Sequence, residues 1–183
     1  RNLDGEWLTQ ADGGYDVPQR RNCTLLQWVE GKMKTKNIKA HHVRELGRLI
    51  GRMHAQSIDW KKPKRFIRPQ WDWKGLFADR MNYGVPVEEA IATLPQAHKE
   101  IFGKSVEHIR DAMDQLGKGK KVYGLIHADL SVDGNLVYHK GEARPLDFDD
   151  SGFGYWLFDL GVALAHYFAD YENPESVMQD VLV

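Results

Sequence analysis

The stretch that most limits what this chain can fold into is Gly124-Leu-Ile-His-Ala-Asp129-Leu-Ser-Val-Asp-Gly-Asn135, followed by Pro145-Leu-Asp147-Phe-Asp-Asp150. Each segment leaves an apolar, β-branched run and opens into a short polar loop. Between them, Leu136-Val-Tyr138 and Ala143-Arg-Pro-Leu146 flank His139-Lys-Gly141, which reads as a hairpin. A hairpin brings its two ends together, so the loops at 129–135 and 147–150 are expected side by side.

Two carboxylates and an amide brought together in this way suit a particular chemistry. Magnesium takes hard oxygen ligands, usually one or two carboxylates plus substrate phosphates, with water completing the shell. Asp147 and Asn135 offer a carboxylate and an amide oxygen. Asp129 is then left to orient a hydroxyl and accept its proton. A carboxylate near its usual pKa is a weak base for an alcohol. In a loose phosphoryl-transfer transition state, however, the proton can leave late and positioning carries most of the rate.

The rest of the chain supplies a frame for these loops. Glu6–Gln10 reads as a strand, 11–14 as a turn, and Cys23–Val29 as a second strand that stops at Glu30-Gly31. A lysine-rich connector follows (Lys32, Lys34, Lys36, Lys39), so this point is a candidate hinge or simply a strand entering a surface loop. Val43, Leu46, Leu49, Ile50 and Met53 recur at helical steps and predict a helix over 39–57. His54 beside that stripe is expected to be a packed residue. An irregular connection is expected over 58–73, short helices over 74–82 and 86–93, and a long helix over 96–116. A strand at 122–126 enters the first loop, and a dense apolar run over 155–170 predicts a buried closing helix. The order gives an α+β fold, with a small β part over 1–30 and a mainly helical part over 31–183.

Composition narrows the function classes. A length of 183 residues permits a real core, and 42% hydrophobic with 28% charged residues is ordinary for a globular protein. A net charge of -1 gives no electrostatic reason to expect nucleic acid or an anionic membrane as partner. The single cysteine, Cys23, excludes an internal disulfide and fits a reducing, cytoplasmic setting. No apolar run reaches the roughly 18 residues needed to span a bilayer, and no secretory signal opens the chain. The chain starts at Arg1 within β-like sequence and ends at Val183 within a helix-like pattern, so both ends read as cuts in a longer protein.

His127-Ala-Asp129-Leu…Asn135 and Leu146-Asp147-Phe-Asp, with the two aspartates about 18 residues apart, resemble the catalytic and metal loops of the aminoglycoside phosphotransferase/choline kinase-like superfamily. These are small-molecule kinases with a protein-kinase-like fold, and the resemblance spans roughly residues 20–170. It implies ATP and Mg²⁺ as cofactors and a small-molecule hydroxyl as acceptor. Asp129 would be the catalytic base, and His127, counted in the catalytic set, a support of its loop. Asn135 and Asp147 would hold the metal, and Asp159 would brace the catalytic loop from the following helix. Leu25–Gly31 resembles the interlobe hinge, with Leu26, Gln27, Trp28 and Val29 as the cofactor-binding segment: Leu26 as gatekeeper, the backbone of Gln27 and Val29 at the adenine edge.

The chain departs from that pattern in three ways. Five residues, Leu130 to Gly134, separate Asp129 from Asn135 where the family usually has four. Either Gly134 absorbs a bulge and Asn135 remains the ligand, or Asp133 replaces it; the former is preferred. The Gly-rich phosphate loop, its lysine and the lysine's glutamate partner belong upstream of the hinge and are not in this chain. Asp149 stands where a glycine is usual, so Asp149 and Asp150 either add charge near the metal or cap the next turn. Trp71, Trp73, Phe77 and Tyr83 could line an acceptor pocket, though packing is the plainer reading. A non-catalytic nucleotide- or partner-binding module, or an inert piece of a kinase, is the alternative function. A metal-dependent hydrolase is disfavoured because hydrolysis needs no hinge. Neither the acceptor nor the oligomeric state can be read from the sequence.

Overall fold

The computed structural model describes residues 2–16, 19–77 and 85–169, with side chains through 165. The chain divides into two compact units, residues 1–30 and 31–183.

The first unit is a ribbon. β1 (Thr9–Ala11) pairs antiparallel with β2 (Arg21–Cys23), and Thr24 Oγ1 donates to the carbonyl of Trp7 at 3.2 Å. The expected strands at Glu6–Gln10 and Cys23–Val29 are therefore shorter and shifted, and Leu25 to Val29 form no strand. Among its described residues this unit has no third strand and no helix, and a two-stranded ribbon alone has little to extend its pairing. Leu25, Leu26 and Trp28 stand in solvent accordingly.

The second unit is built around α1 (Ala40–Asp59). His42 Nδ1 accepts the Lys39 N–H at 3.0 Å and so closes its first turn. Leu46, Leu49 and Ile50 are buried on the stripe read from the sequence, each contributing on the order of 2 kcal/mol by transfer. They pack with Leu130, Val132, Leu136 and Tyr138, so the helix underlies the first polar loop and the hairpin beyond it. That hairpin is β5 (Leu136–His139) paired with β6 (Glu142–Pro145), turning through Lys140 and Gly141, both at positive φ. Lys32 exchanges backbone hydrogen bonds with Tyr138, which ties the start of this unit to the hairpin.

Two strands escaped the sequence reading. The stretch 58–73 is not wholly irregular: β3 (Gln70–Trp71) lies parallel to β7 (Gly152–Tyr155), which pairs antiparallel with β4 (Tyr123–Ile126) on its other side. The closing helix is α5 (Trp156–Ala169). Gly-Phe-Gly-Tyr has weak strand propensity, yet glycine is what this position needs. A Cβ on Gly152 would meet the Pro69 carbonyl at 2.5 Å and the Trp71 indole at 2.7 Å. Gly152→Ala should therefore destabilise the fold by about 1–3 kcal/mol through overpacking, read as a lowered urea midpoint with an unchanged slope.

The short helices fall near their expected places, as α2 (Trp73–Phe77) and α3 (Val87–Thr93); residues 78–82, expected to continue the first of them, lie outside the described residues. The long helix, α4, spans Gln96–Leu116 but buries only Val106. α5 is less buried than its composition suggested: Asp159 and Ala163 are covered, whereas Leu157 and Leu160 are exposed. No helix among the described residues is long and apolar enough to cross a membrane.

Candidate active site

β4 delivers His127 to Asp129 at the end of a strand, and the β5–β6 hairpin returns the chain to Asp147. The two loops are joined directly. Leu146 N–H donates to the Asn135 carbonyl at 2.8 Å, and His127 Nε2–H to the Leu146 carbonyl at 2.8 Å. His127 is fully buried, and its Nδ1 accepts the Asp129 N–H at 3.4 Å. Its ring lies 4.7 Å from that of Phe148. The imidazole is thus a bridge between the loops and is withdrawn from solvent.

Asn135 sits against Asp129. Its Nδ2 donates to the Asp129 carboxylate at 2.5 Å and to the Asp129 carbonyl at 2.9 Å, which leaves its Oδ1 as the free oxygen. The additional residue is taken up in a turn at 131–134, where Ser131 and Gly134 exchange backbone hydrogen bonds at 3.2 and 3.4 Å. Asp133 belongs to that turn, accepting from Ser131 Oγ at 3.0 Å. Gly134 does not supply a left-handed backbone; Asn135 itself does, at φ 54. Gly134 supplies room instead, since a Cβ there would meet Ser131 Oγ at 2.7 Å.

Asp147 is exposed and also left-handed, at φ 58. A side-chain hydrogen bond with Asp149 and that group's charge raise its pKa above the ordinary aspartate value, with the charge of Asp129 adding to the effect. A raised carboxyl favours the fold below the unfolded pKa near 3.8, and that contribution is lost as pH rises through the folded value. Asp149→Asn should remove the like charge and bring the Asp147 midpoint down, as followed by carboxyl-carbon NMR titration. A midpoint that stays put would show that the two groups do not share a proton.

Behind the loops stands a buried carboxylate. Asp159, 1% exposed, accepts the His127 N–H at 3.3 Å, the Ala128 N–H at 2.7 Å and His54 Nε2–H at 2.8 Å. Ala128 is held at φ 73, a conformation costly for a residue without a compensating side chain. His54 was expected only to pack; in fact it anchors Asp159, and its ring stacks on Trp156 at 4.5 Å. Nothing local in the sequence marks that pair, because 105 residues separate its members.

A second clamp holds the Asp147 loop. Arg68 donates from Nη2 to the Phe148 carbonyl at 2.9 Å, and also to the carbonyls of Asp149 and Ser151. Trp71 is core, packed with Ile126 and Ala128 and donating from Nε1 to the Asp150 carbonyl at 2.9 Å. The Trp73 ring is tilted against that of Phe77 at 4.9 Å and lies under Arg110, while Tyr83 lies outside the described residues. Leu26, Gln27, Trp28 and Val29 belong to the first unit and lie outside its two strands. Among the described residues no group of three or more histidine, cysteine, aspartate or glutamate side chains is placed to hold a metal by itself.

A helical unit presenting paired polar loops beside a short hairpin is the architecture of a kinase-like helical lobe. Solved structures share it: a microcompartment-associated aminopropanol kinase aligns at TM-score 0.77 and 24% identity, over 98% of this chain and 55% of that one. An amicoumacin kinase in complex with AMP-PNP, Ca2+ and Ami aligns at TM-score 0.71 and 21% identity, over 98% and 52%. Residues 7–179 match the phosphotransferase enzyme family, APH, and the chain belongs to that family. Amicoumacin kinase of Bacillus subtilis (strain 168) is 31% identical over 121 residues, 66% of this chain and 32% of that protein. Homoserine kinase of Cupriavidus necator is 25% identical over 183 aligned positions, 90% of this chain and 52% of that protein. The chain spans about a third to a half of the length of these two curated relatives.

Proposed function

We propose that these residues form the acceptor-side half of an ATP- and Mg²⁺-dependent phosphotransferase acting on a hydroxyl of a small molecule. One observation carries the reading: Asn135 is seated on the Asp129 carboxylate, and its carbonyl accepts the Leu146 N–H, which sets the Asp147 loop alongside. In this reading Asp129 orients the acceptor hydroxyl and takes its proton as the bond to phosphorus forms. The Asn135 amide fixes which Asp129 oxygen faces the acceptor. His127 and Asp159 hold the loop without touching substrate.

The residues suit a magnesium ion. The Asp147 carboxylate and the Asn135 Oδ1 are hard oxygen donors of the kind magnesium takes, and two or three protein oxygens suffice where phosphates complete the shell. Bound there through Asn135 and Asp147, the ion would neutralise charge on the transferring phosphoryl group. Asp133, committed to its own turn, is the weaker candidate. Leu26 to Val29 remain the proposed adenine-binding segment, on resemblance alone.

Homoserine, aminopropanol and amicoumacin kinases supply the names among the relatives, and the first two substrates are amino alcohols. A small amino-bearing alcohol is the acceptor class we favour. The test is calorimetric binding of Mg·AMP-PNP, then ADP release against a panel of amino alcohols. Both are measured on this chain and on any longer chain that contains it. Nucleotide binding by neither would overturn the kinase reading; binding without turnover on any hydroxyl would leave a non-catalytic binding module.

A further inference from the structure

After Asp147, each backbone carbonyl from Phe148 to Ser151 is held by a side chain of the connector that leads into β3. Arg68 donates from Nη2 to the carbonyls of Phe148, at 2.9 Å, and Asp149, and from Nε to that of Ser151. Trp71 takes the remaining one, donating from Nε1 to the Asp150 carbonyl at 2.9 Å. The pairing of β3 with β7 brings this about. Gln70 faces Phe153 and Trp71 faces Gly154 in parallel register, so Arg68, two residues before Gln70, runs beside Ser151. The Phe153 N–H donates to the Pro69 carbonyl at 2.9 Å and fixes that register just ahead of the strand.

Asp147 needs support of this kind. It is an exposed residue with a side chain at φ 58, a conformation that persists only where its surroundings hold it. The Leu146 carbonyl before it is held by His127 at 2.8 Å, and the Phe148 carbonyl after it by Arg68. Arg68 makes no ion pair with Asp147 or Asp149; its three bonds all go to carbonyls. A planar guanidinium can serve three acceptors in this way, which a single ammonium at the end of a lysine stem cannot reproduce.

We propose that Arg68 is a positioning residue for divalent-cation binding, fixing the backbone after Asp147 so that the Asp147 carboxylate meets the ion in one direction. The proposal rests on the phosphotransferase reading, in which Asp147 and Asn135 take magnesium. Magnesium demands near-ideal octahedral geometry, so a misdirected carboxylate binds it poorly. Charge and geometry predict opposite results here. A guanidinium near a cation site repels the ion, so by Coulomb's law alone Arg68→Gln should tighten binding and Arg68→Lys should leave it unchanged. Loss of positioning weakens binding in both.

The test titrates Mn²⁺ into this chain, alone and with AMP-PNP, and competes it with Mg²⁺. Paramagnetic broadening of the Asn135 side-chain amide signals reports occupancy at this site by NMR. The native chain should show saturable broadening that Mg²⁺ reverses. Arg68→Gln and Arg68→Lys should each require about tenfold more metal, the usual scale for a group that orients a ligand. Val106→Ala, which removes buried apolar volume on α4 outside both loops, should lower the urea midpoint and bind metal like the native chain. Arg68→Lys keeps the charge and the aliphatic stem, so it tests the proposal even if Arg68→Gln fails to fold. Native metal affinity in either Arg68 variant, with only a lowered urea midpoint, overturns the proposal and leaves the metal assignment standing. Tighter binding in Arg68→Gln does the same. Mn²⁺ that broadens no Asn135 signal in the native chain, with or without nucleotide, overturns the metal assignment itself and this proposal with it.

Discussion

Asp129→Asn is expected to lower kcat by about 10²–10⁴-fold with little change in nucleotide affinity. The substitution is nearly isosteric, and the Asn135 Nδ2 bond, now 2.5 Å to the carboxylate, can be kept by the new amide oxygen. What disappears is the proposed acceptor for the hydroxyl proton. Asp147→Asn should behave differently, because it removes a charged oxygen from the proposed metal position. Its loss should appear in magnesium-dependent nucleotide binding, and only secondarily in turnover at saturating metal. The measurement is steady-state kinetics with varied Mg²⁺ on whichever chain carries activity, beside calorimetry of nucleotide binding. If Asp129→Asn turns over at the native rate, Asp129 is not the base. If both variants show the same metal dependence as the native protein, the division of roles between the loops is wrong.

The pairing of those loops was readable because it rests on local signals. Alternation in Leu136–Tyr138, turn residues at 139–141 and a hairpin's short reach place Asp147 beside Asn135 without knowledge of the rest. The α1 stripe was readable for the same reason, being a period within one element. What stayed hidden depends on partners distant in sequence. β3 and β7 pair across about 80 residues, and the glycines that weaken β7 locally are what let Trp71 and Pro69 approach. The six-residue step from Asp129 to Asn135 looked like a defect. The fold absorbs it in a turn, with the left-handed backbone at Asn135 and not at Gly134. The apolar density of α5 misled because composition says how much hydrophobic surface exists, not whether a neighbour covers it.

The largest stability effect should follow from Asp159→Ala. The carboxylate is almost fully buried and accepts two backbone N–H groups and the His54 N–H. Truncation leaves all three donors in a dry environment with no replacement, and the Ala128 peptide loses the bond that holds its left-handed conformation. Breaking a buried, multiply bonded charge in this way costs about 3–5 kcal/mol, a large share of the roughly 5–15 kcal/mol that holds a domain together. The melting temperature should fall by on the order of 10 °C, followed by circular dichroism. Asp159→Asn should lose less, since its Oδ1 can still receive the Ala128 N–H, and His54→Ala less again, because both backbone bonds survive. That ordering separates a brace from mere packing. A packing role predicts that Asp159→Asn, which conserves volume, is silent, whereas a brace predicts that it weakens the catalytic loop. The same ordering in kcat, with KM for the acceptor nearly constant, would tie the brace to the placement of Asp129, since the loop it holds carries that carboxylate.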